Sequence, residues 1–204
     1  MNPNPLIKAD ILQNDPLILT IAAALSEQEC QQLIARSERE NAYDIATIQG
    51  RDGGETRLDI RHNWRWMVDD PQLAGWLFER LRLALPDQLN GWHLQGLNER
   101  LRFYRYDPGQ TFRPHYDGGF ERNVFESSQL TLLIYLNEAV QGGATRFYQD
   151  DPSLHASEDT LQYSIAPKTG RVLVFEHQQL HEGAPVESGR KYVLRTDVMY
   201  RWRG

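Results

Sequence analysis

The chain has 204 residues, 40% of them apolar and 25% charged, and a formal charge of −6; this fits one folded domain with a sizeable core, and the acidic excess argues against a nucleic-acid partner. Cys30 is the only cysteine, so an internal disulfide and a Cys-rich zinc site are excluded and a reducing, cytoplasmic setting is expected. Met1-Asn2-Pro3-Asn4-Pro5 lacks the basic patch and apolar run of a secretory signal, and no stretch of about 18 apolar residues is present to span a membrane.

In chain order, Ser26-Glu27-Gln28-Glu29 has the form of a capping box, and Cys30, Leu33 and Ile34 then share one helical face. This predicts a helix over 26–39. Asp70-Pro71 supplies an N-cap followed by proline at the first helical position. Leu73, Trp76, Leu77, Leu81 and Ala84 make the apolar stripe of that second helix, and Pro86 ends it. From about residue 98 the pattern changes to strand-like runs between Gly, Pro and Asp turns, at 99–106, 111–117, 129–137, 144–148, 161–166, 171–176 and 190–202. Short strands at this spacing predict a β-sandwich or barrel, with the helices against one outer face. The expected organisation is a single domain, with a helix-and-strand support region at 1–97 and a catalytic core at 98–204. Residues 118–128 and 149–160 read as loops.

His115-Tyr116-Asp117 lies in or at the end of one strand-like run, and residues i and i+2 of a strand point the same way. It is the only His-x-Asp or His-x-Glu in the sequence. An imidazole and a carboxylate thus stand side by side, and a third metal ligand has to come from a distant strand. His181 follows the apolar run Val172-Leu173-Val174-Phe175 and precedes the strand beginning near Arg190; His177, four residues earlier, is the alternative. His62, His93 and His155 read as surface or core histidines. Two histidines and one carboxylate leave three positions of an octahedral ion open, which suits Fe(II) oxygen chemistry. The competing reading of the triplet is a plain His–Asp hydrogen bond.

Three ordered segments carry a resemblance. They are Tyr106-Asp107-Pro108-Gly109 leading to His115-Tyr116-Asp117, then Leu132-Leu133-Ile134-Tyr135-Leu136-Asn137 leading to Gly142-Gly143-Ala144-Thr145-Arg146-Phe147, then His181-Glu182-Gly183-Ala184-Pro185-Val186 leading to Gly189-Arg190-Lys191-Tyr192. Over about residues 100–200 the chain resembles the prolyl 4-hydroxylase-like branch of the 2-oxoglutarate- and Fe(II)-dependent dioxygenases. The resemblance implies a mostly β fold, a double-stranded β-helix (a cupin-like jelly roll) flanked by N-terminal α-helices. It implies His115, Asp117 and His181 as Fe(II) ligands, 2-oxoglutarate and O2 as cosubstrates, and ascorbate as reductant. A basic residue after the distal histidine is expected to pair with the far carboxylate of 2-oxoglutarate. Lys191 lies ten residues after His181 and Arg190 nine, and neighbours on a strand face opposite ways, so one of them points inward. The family pattern favours Lys191, whereas a guanidinium is the better bidentate partner of a carboxylate. Arg195 is a third option, with a salt bridge to Asp197 as its alternative role. Tyr106 and Tyr135 match positions of tyrosines beside the cosubstrate, against a reading as core aromatics. Ala144 stands where the family often has an acidic residue, which leaves the construction of the substrate side open.

The reaction implied by the resemblance is hydroxylation of a C–H bond on a peptidyl proline or other peptide residue, with release of succinate and CO2. The alternatives are a small-molecule or nucleobase oxygenase and a non-catalytic metal-binding β-barrel. Loop 118–128 and the acidic residues Asp150, Asp151, Glu158 and Asp159 are candidate cleft walls, against a reading as solvated surface. Arg113, Arg122 and Arg146 are candidate substrate contacts.

Overall fold

The computed structural model describes residues 7–50, 53–138, 140–149 and 156–203. Among these, an eleven-stranded antiparallel sheet faces a five-stranded one, with two short ribbons apart. The main path of the large sheet runs Ala9–Asn14, Leu17–Ile21, Val172–Glu176, Glu126–Tyr135, Lys191–Trp202, Arg100–Tyr106, Trp64–Asp69 and Asp44–Ile45. The small sheet runs Leu161–Ile165, Thr145–Tyr148, His181–Gly183, Thr111–His115 and Arg61–His62. Together they make the expected jelly roll, and strands from the N-terminal half complete the large sheet.

The alternation of side chains along the large sheet explains the layering. Leu101 and Phe103, Leu130, Leu132 and Ile134, Val172 and Val174, and Leu194 and Val198 face one way and share a core with the helices. The residues between them, including Tyr104, Tyr106, Tyr135, Leu173, Phe175 and Val193, face the other way and meet Phe147 of the small sheet. Both faces of these strands are covered, so their sequences read as nearly continuous apolar runs. The inward face is less purely apolar, because Thr131, Lys191 and Arg195 belong to it and are buried.

Helix α1 spans Glu27–Glu40 and begins with the expected capping box at Ser26; its C-cap Asn41 takes a left-handed conformation, φ 48°. Helix α2 spans Pro71–Leu81, and the Asp70 side chain accepts from Leu73 N–H. Two ion pairs tie the helices together, Arg36 to Asp70 at 2.7 Å and Arg80 to Glu29 at 2.6 Å. Two details differ from the sequence reading. Helix α2 ends at Leu81 and passes into a 3-10 turn at Arg82–Ala84, ahead of Pro86. Trp76 does not join the core stripe. It is 39% exposed, with the Arg80 guanidinium 4.4 Å from its ring centroid, because Ala74, Leu77 and Leu81 already fill the buried face.

Residues expected to form loops are more ordered than the sequence reading gave. Glu121–Asn123 pairs with the start of Glu126–Tyr135, so most of 118–128 is a hairpin arm. Glu158–Thr160 forms a 3-10 turn, while Asp150, Asp151 and His155 lie outside the described residues. Leu77 is fully buried where α2 meets the large sheet. Leu77→Ala is expected to cost about 2–5 kcal/mol of unfolding free energy, read as a lower urea midpoint at unchanged m-value.

Candidate metal centre

His115 and His181 sit opposite each other on adjoining antiparallel strands of the small sheet. Each ring is held the same way. Nδ1 of His115 lies 2.7 Å from the Arg113 carbonyl, and Nδ1 of His181 lies 2.8 Å from the Gln179 carbonyl. A carbonyl only accepts, so each Nδ1 carries a proton and donates it. Nε2 of each ring is left facing Asp117, 3.7 Å from Oδ1 for His115 and 3.6 Å from Oδ2 for His181. Packing fixes the ring planes, with Phe112 stacked on His115 and Phe175 edge-on to His181.

Asp117 lies just past the end of strand Thr111–His115, and its carboxylate reaches across to the large sheet. Oδ1 accepts from Arg195 Nη1 and Oδ2 from Thr131 Oγ1, both at 2.7 Å. The backbone N–H of Asp117 donates to the His177 carbonyl at 3.0 Å. His177, the alternative ligand, is engaged elsewhere. Its Nδ1 lies 3.0 Å from Thr131 Oγ1 and its Nε2 2.9 Å from Ser128 Oγ. The Thr131 proton goes to Asp117, so His177 Nδ1–H donates to Thr131, and the Ser128 hydroxyl donates to Nε2. Ser128 Oγ in turn accepts from Phe120 N–H at 2.7 Å. One directed chain of hydrogen bonds therefore runs from a backbone amide to the carboxylate.

Ligand atoms of His115, Asp117 and His181 all lie within 4.8 Å of one another, the one such group among the described residues. Burial by itself raises the Asp117 carboxyl, but Arg195 foremost, and then the imidazoles, outweigh it and hold Asp117 well below the usual carboxylate range. Burial pushes His181 down to about 3, so its Nε2 presents a lone pair toward an ionised oxygen. Two acceptors facing each other away from water are unfavourable unless a cation stands between them. Two imidazole nitrogens and one carboxylate oxygen suit a first-row divalent ion such as Fe(II), and the backbone hydrogen bonds at Nδ1 are the support such a site requires.

A partly open cavity lies beside the three residues, lined by Tyr104, Tyr106, Thr145, Lys191, Val193 and Arg195 among others. Lys191 is 2% exposed. Its Nζ donates to the Gly143 carbonyl at 2.7 Å and lies 4.6 Å from the Tyr106 ring centroid. Gly142 and Gly143 make this approach possible. Both have positive φ, and a Cβ on Gly142 would stand 2.4 Å from the Pro185 carbonyl oxygen. Burial pushes the Lys191 ammonium down to about 7. Arg190 faces outward, 49% exposed, against Asp107 at 2.6 Å.

The two tyrosines differ. Tyr106 lines the cavity. Tyr135 is fully buried one layer behind, and its hydroxyl donates to Thr145 Oγ1 at 2.7 Å; Thr145 is what reaches the cavity wall. Arg195 pairs first with Asp117, and its contact with Asp197 is longer, 3.5 Å. Burial works against the Arg195 charge, yet Asp117, then Tyr104 and Asp197, hold the guanidinium above its ordinary range. Sequence reasoning missed Thr131, Thr145 and Tyr104. Thr131 had a signal, a lone hydroxyl between Leu130 and Leu132, and Tyr104 shares the face of Tyr106 two residues on. Of the arginines offered as substrate contacts, Arg122 is taken up by Glu99 and Glu126. Arg146 lies between Glu158 and the cavity-lining Glu182, and Arg113 is exposed.

The buried ammonium weighs on the fold. Its folded value near 7 lies below the unfolded value of about 10.4, so the unfolded chain binds this proton more readily. Stability is therefore lost as pH falls from about 10.4 toward 7. Lys191→Met is expected to raise the melting temperature of the metal-free protein, most at and below pH 7 and vanishing as pH approaches about 10.4, as a calorimetric pH series would show.

Residues 101–196 match the family model described as the 2OG-Fe(II) oxygenase superfamily. Among curated proteins, the chain is 26% identical to Probable prolyl 4-hydroxylase 6 of Arabidopsis thaliana, over 82% of this chain and 64% of that one. It is 23% identical to Prolyl 4-hydroxylase 1 of the same plant, over 91% and 70%. The chain thus spans about two thirds of the length of these relatives. Among solved structures, a Pseudomonas putida prolyl-4-hydroxylase superposes with a TM-score of 0.63 at 23% identity, covering 92% of this chain and 93% of that one. A Trichoplax adhaerens prolyl hydroxylase, in complex with a hypoxia inducible factor oxygen degradation domain peptide fragment, superposes with a TM-score of 0.65 at 17% identity, covering 93% and 85%. The matched stretch, a little under half of the sequence, carries the converged His115, Asp117 and His181, and the fold is shared with the solved prolyl hydroxylases: over that stretch the chain is similar to the 2OG-Fe(II) oxygenase superfamily, with prolyl 4-hydroxylases among its relatives.

Proposed function

We propose that the chain is a 2-oxoglutarate- and Fe(II)-dependent dioxygenase that hydroxylates a peptide residue, in the first instance a prolyl C–H bond, and releases succinate and CO2. One observation carries the reading: three convergent metal-ligand side chains adjoin a cavity lined by a buried ammonium with no carboxylate partner among the described residues. A non-catalytic metal-binding barrel has no use for that costly lysine. In this reading His115, Asp117 and His181 hold Fe(II), which when bound supplies the redox chemistry coupling keto-acid decarboxylation to hydroxylation.

The protein's own part is binding and orientation. Lys191, charged on meeting the far carboxylate of 2-oxoglutarate, would anchor it beside the Tyr106 ring, whose centroid lies 4.6 Å from Nζ. Leu133 and Val193 line the walls and exclude water from the keto acid. Thr131 and the backbone keep Asp117 in one orientation while the cavity fills. No side chain is required as a general base. A peptide substrate is favoured by the names of the curated relatives and by the peptide bound to the Trichoplax adhaerens relative. Ascorbate is the proposed reductant, and the cytoplasm, where the buried thiol of Cys30 stays reduced, the proposed compartment.

The test is succinate formation from 2-oxoglutarate with Fe(II), ascorbate and proline-containing peptides, with a one-oxygen mass gain on the peptide. His115→Ala and Asp117→Ala are each expected to abolish succinate formation while the circular dichroism spectrum is unchanged; turnover retained in a folded variant sinks the reading. Lys191→Ala is expected to raise the KM for 2-oxoglutarate by about ten- to a hundredfold, the worth of one charge-assisted hydrogen bond, while Arg190→Ala leaves it near the wild-type value.

A further inference from the structure

The cavity holds two buried cations, and the proposed function uses one. Lys191 and Arg195 lie four apart on strand Lys191–Trp202 and both line the cavity. Arg195 is 8% exposed and gives Nη1–H to Asp117 Oδ1 at 2.7 Å. Its Nε–H has no hydrogen-bond partner among the described residues. Asp197 has a nearer cation of its own, Arg102 at 3.1 Å.

A guanidinium at that distance satisfies the carboxylate a divalent ion needs, and its charge opposes that ion. The orientation of Asp117 does not depend on it, because Thr131 grips Oδ2 without charge and the His177 carbonyl holds the backbone. A prop alone needs no charge here. With an ion in place, positive charge predominates around the cavity until a dianion enters. The unpartnered Nε–H, buried beside the cavity, belongs to a fork suited to a carboxylate, and 2-oxoglutarate brings a second carboxylate beyond the one Lys191 takes.

We propose that Arg195 couples the two ligands of this site: it weakens the hold of His115, Asp117 and His181 on a divalent ion and strengthens the hold on the acid end of the keto acid. The metal is then held firmly only when the cosubstrate is present. The proposal rests on the functional reading above and adds to it a residue with opposite effects on two affinities.

The experiment is calorimetric titration of the full chain with Mn(II), and of the Mn(II)-loaded chain with 2-oxoglutarate, without O2 or peptide. Arg195→Met is expected to bind Mn(II) alone about tenfold tighter than wild type and 2-oxoglutarate about tenfold more weakly, within the usual range of coupling between sites. Arg195→Lys keeps the charge and loses the fork, so it falls between, and it carries the test should the Met variant not fold. Thr131→Val, which removes an uncharged grip, is expected to weaken Mn(II) instead. If Arg195→Met binds Mn(II) no tighter, or keeps wild-type affinity for 2-oxoglutarate, or if only Arg195→Lys folds and it matches wild type in both titrations, Arg195 is a structural prop and the proposal is overturned. A wild-type chain that binds no Mn(II) removes the metal reading itself and this proposal with it, which separates the two failures.

Discussion

The buried carboxylate of Asp117 joins the two sheets of this protein through charge as well as hydrogen bonds, beyond the hydroxyl contact of Tyr135 with Thr145. Its neighbours His115 and His181 belong to the small sheet, while its hydrogen-bond donors Thr131 and Arg195 belong to the large one. A buried carboxylate left without donors costs several kcal/mol, so the sheets must approach in a register that supplies them. The apolar contacts between the sheets set the spacing. The carboxylate sets the alignment, because hydrogen bonds are directional where hydrophobic burial is not.

That requirement explains an unusual inward face. A jelly-roll interior is ordinarily filled by apolar side chains, and most of this one is, from Ile18 to Phe175. Beside the small sheet's histidines Thr131 and Arg195 interrupt it, and Lys191 interrupts it again four residues from Arg195 along the same strand, all three buried. Lys191 in particular has no counter-ion among the described residues, and its placement depends on the tight Gly142-Gly143 backbone. The fold carries this cost at the one place where a charged ligand is to be received, and strong apolar packing on the opposite face of the same strands offsets it.

Much of this was legible in the sequence, for physical reasons. Strands after residue 98 announced themselves because apolar runs end at Gly, Pro and Asp. Helices α1 and α2 announced themselves by their caps. The strand His181–Gly183 did not, because three residues followed by Ala184-Pro185 carry no periodicity. The N-terminal strands Leu17–Ile21 and Trp64–Asp69 also gave no firm signal, since their partners lie far along the chain. In the site, the i, i+2 rule singled out His115 and Asp117. Strand alternation required Lys191, Val193 and Arg195 to share a face, as they do. It did not say which carboxylate Arg195 meets. Asp197 is nearer in sequence and Asp117 nearer in space, a difference only tertiary packing decides.

The chain of groups behind Asp117 has one further consequence. Phe120, Ser128, His177 and Thr131 each hand a hydrogen to the next, and the sequence ends on an anion that can only receive. Moving the imidazole proton of His177 from one nitrogen to the other would turn the Thr131 hydroxyl around and strip a donor from the carboxylate. The anion thereby freezes the tautomer of a ring it never touches, and the polarity of the whole file is dictated from its far end.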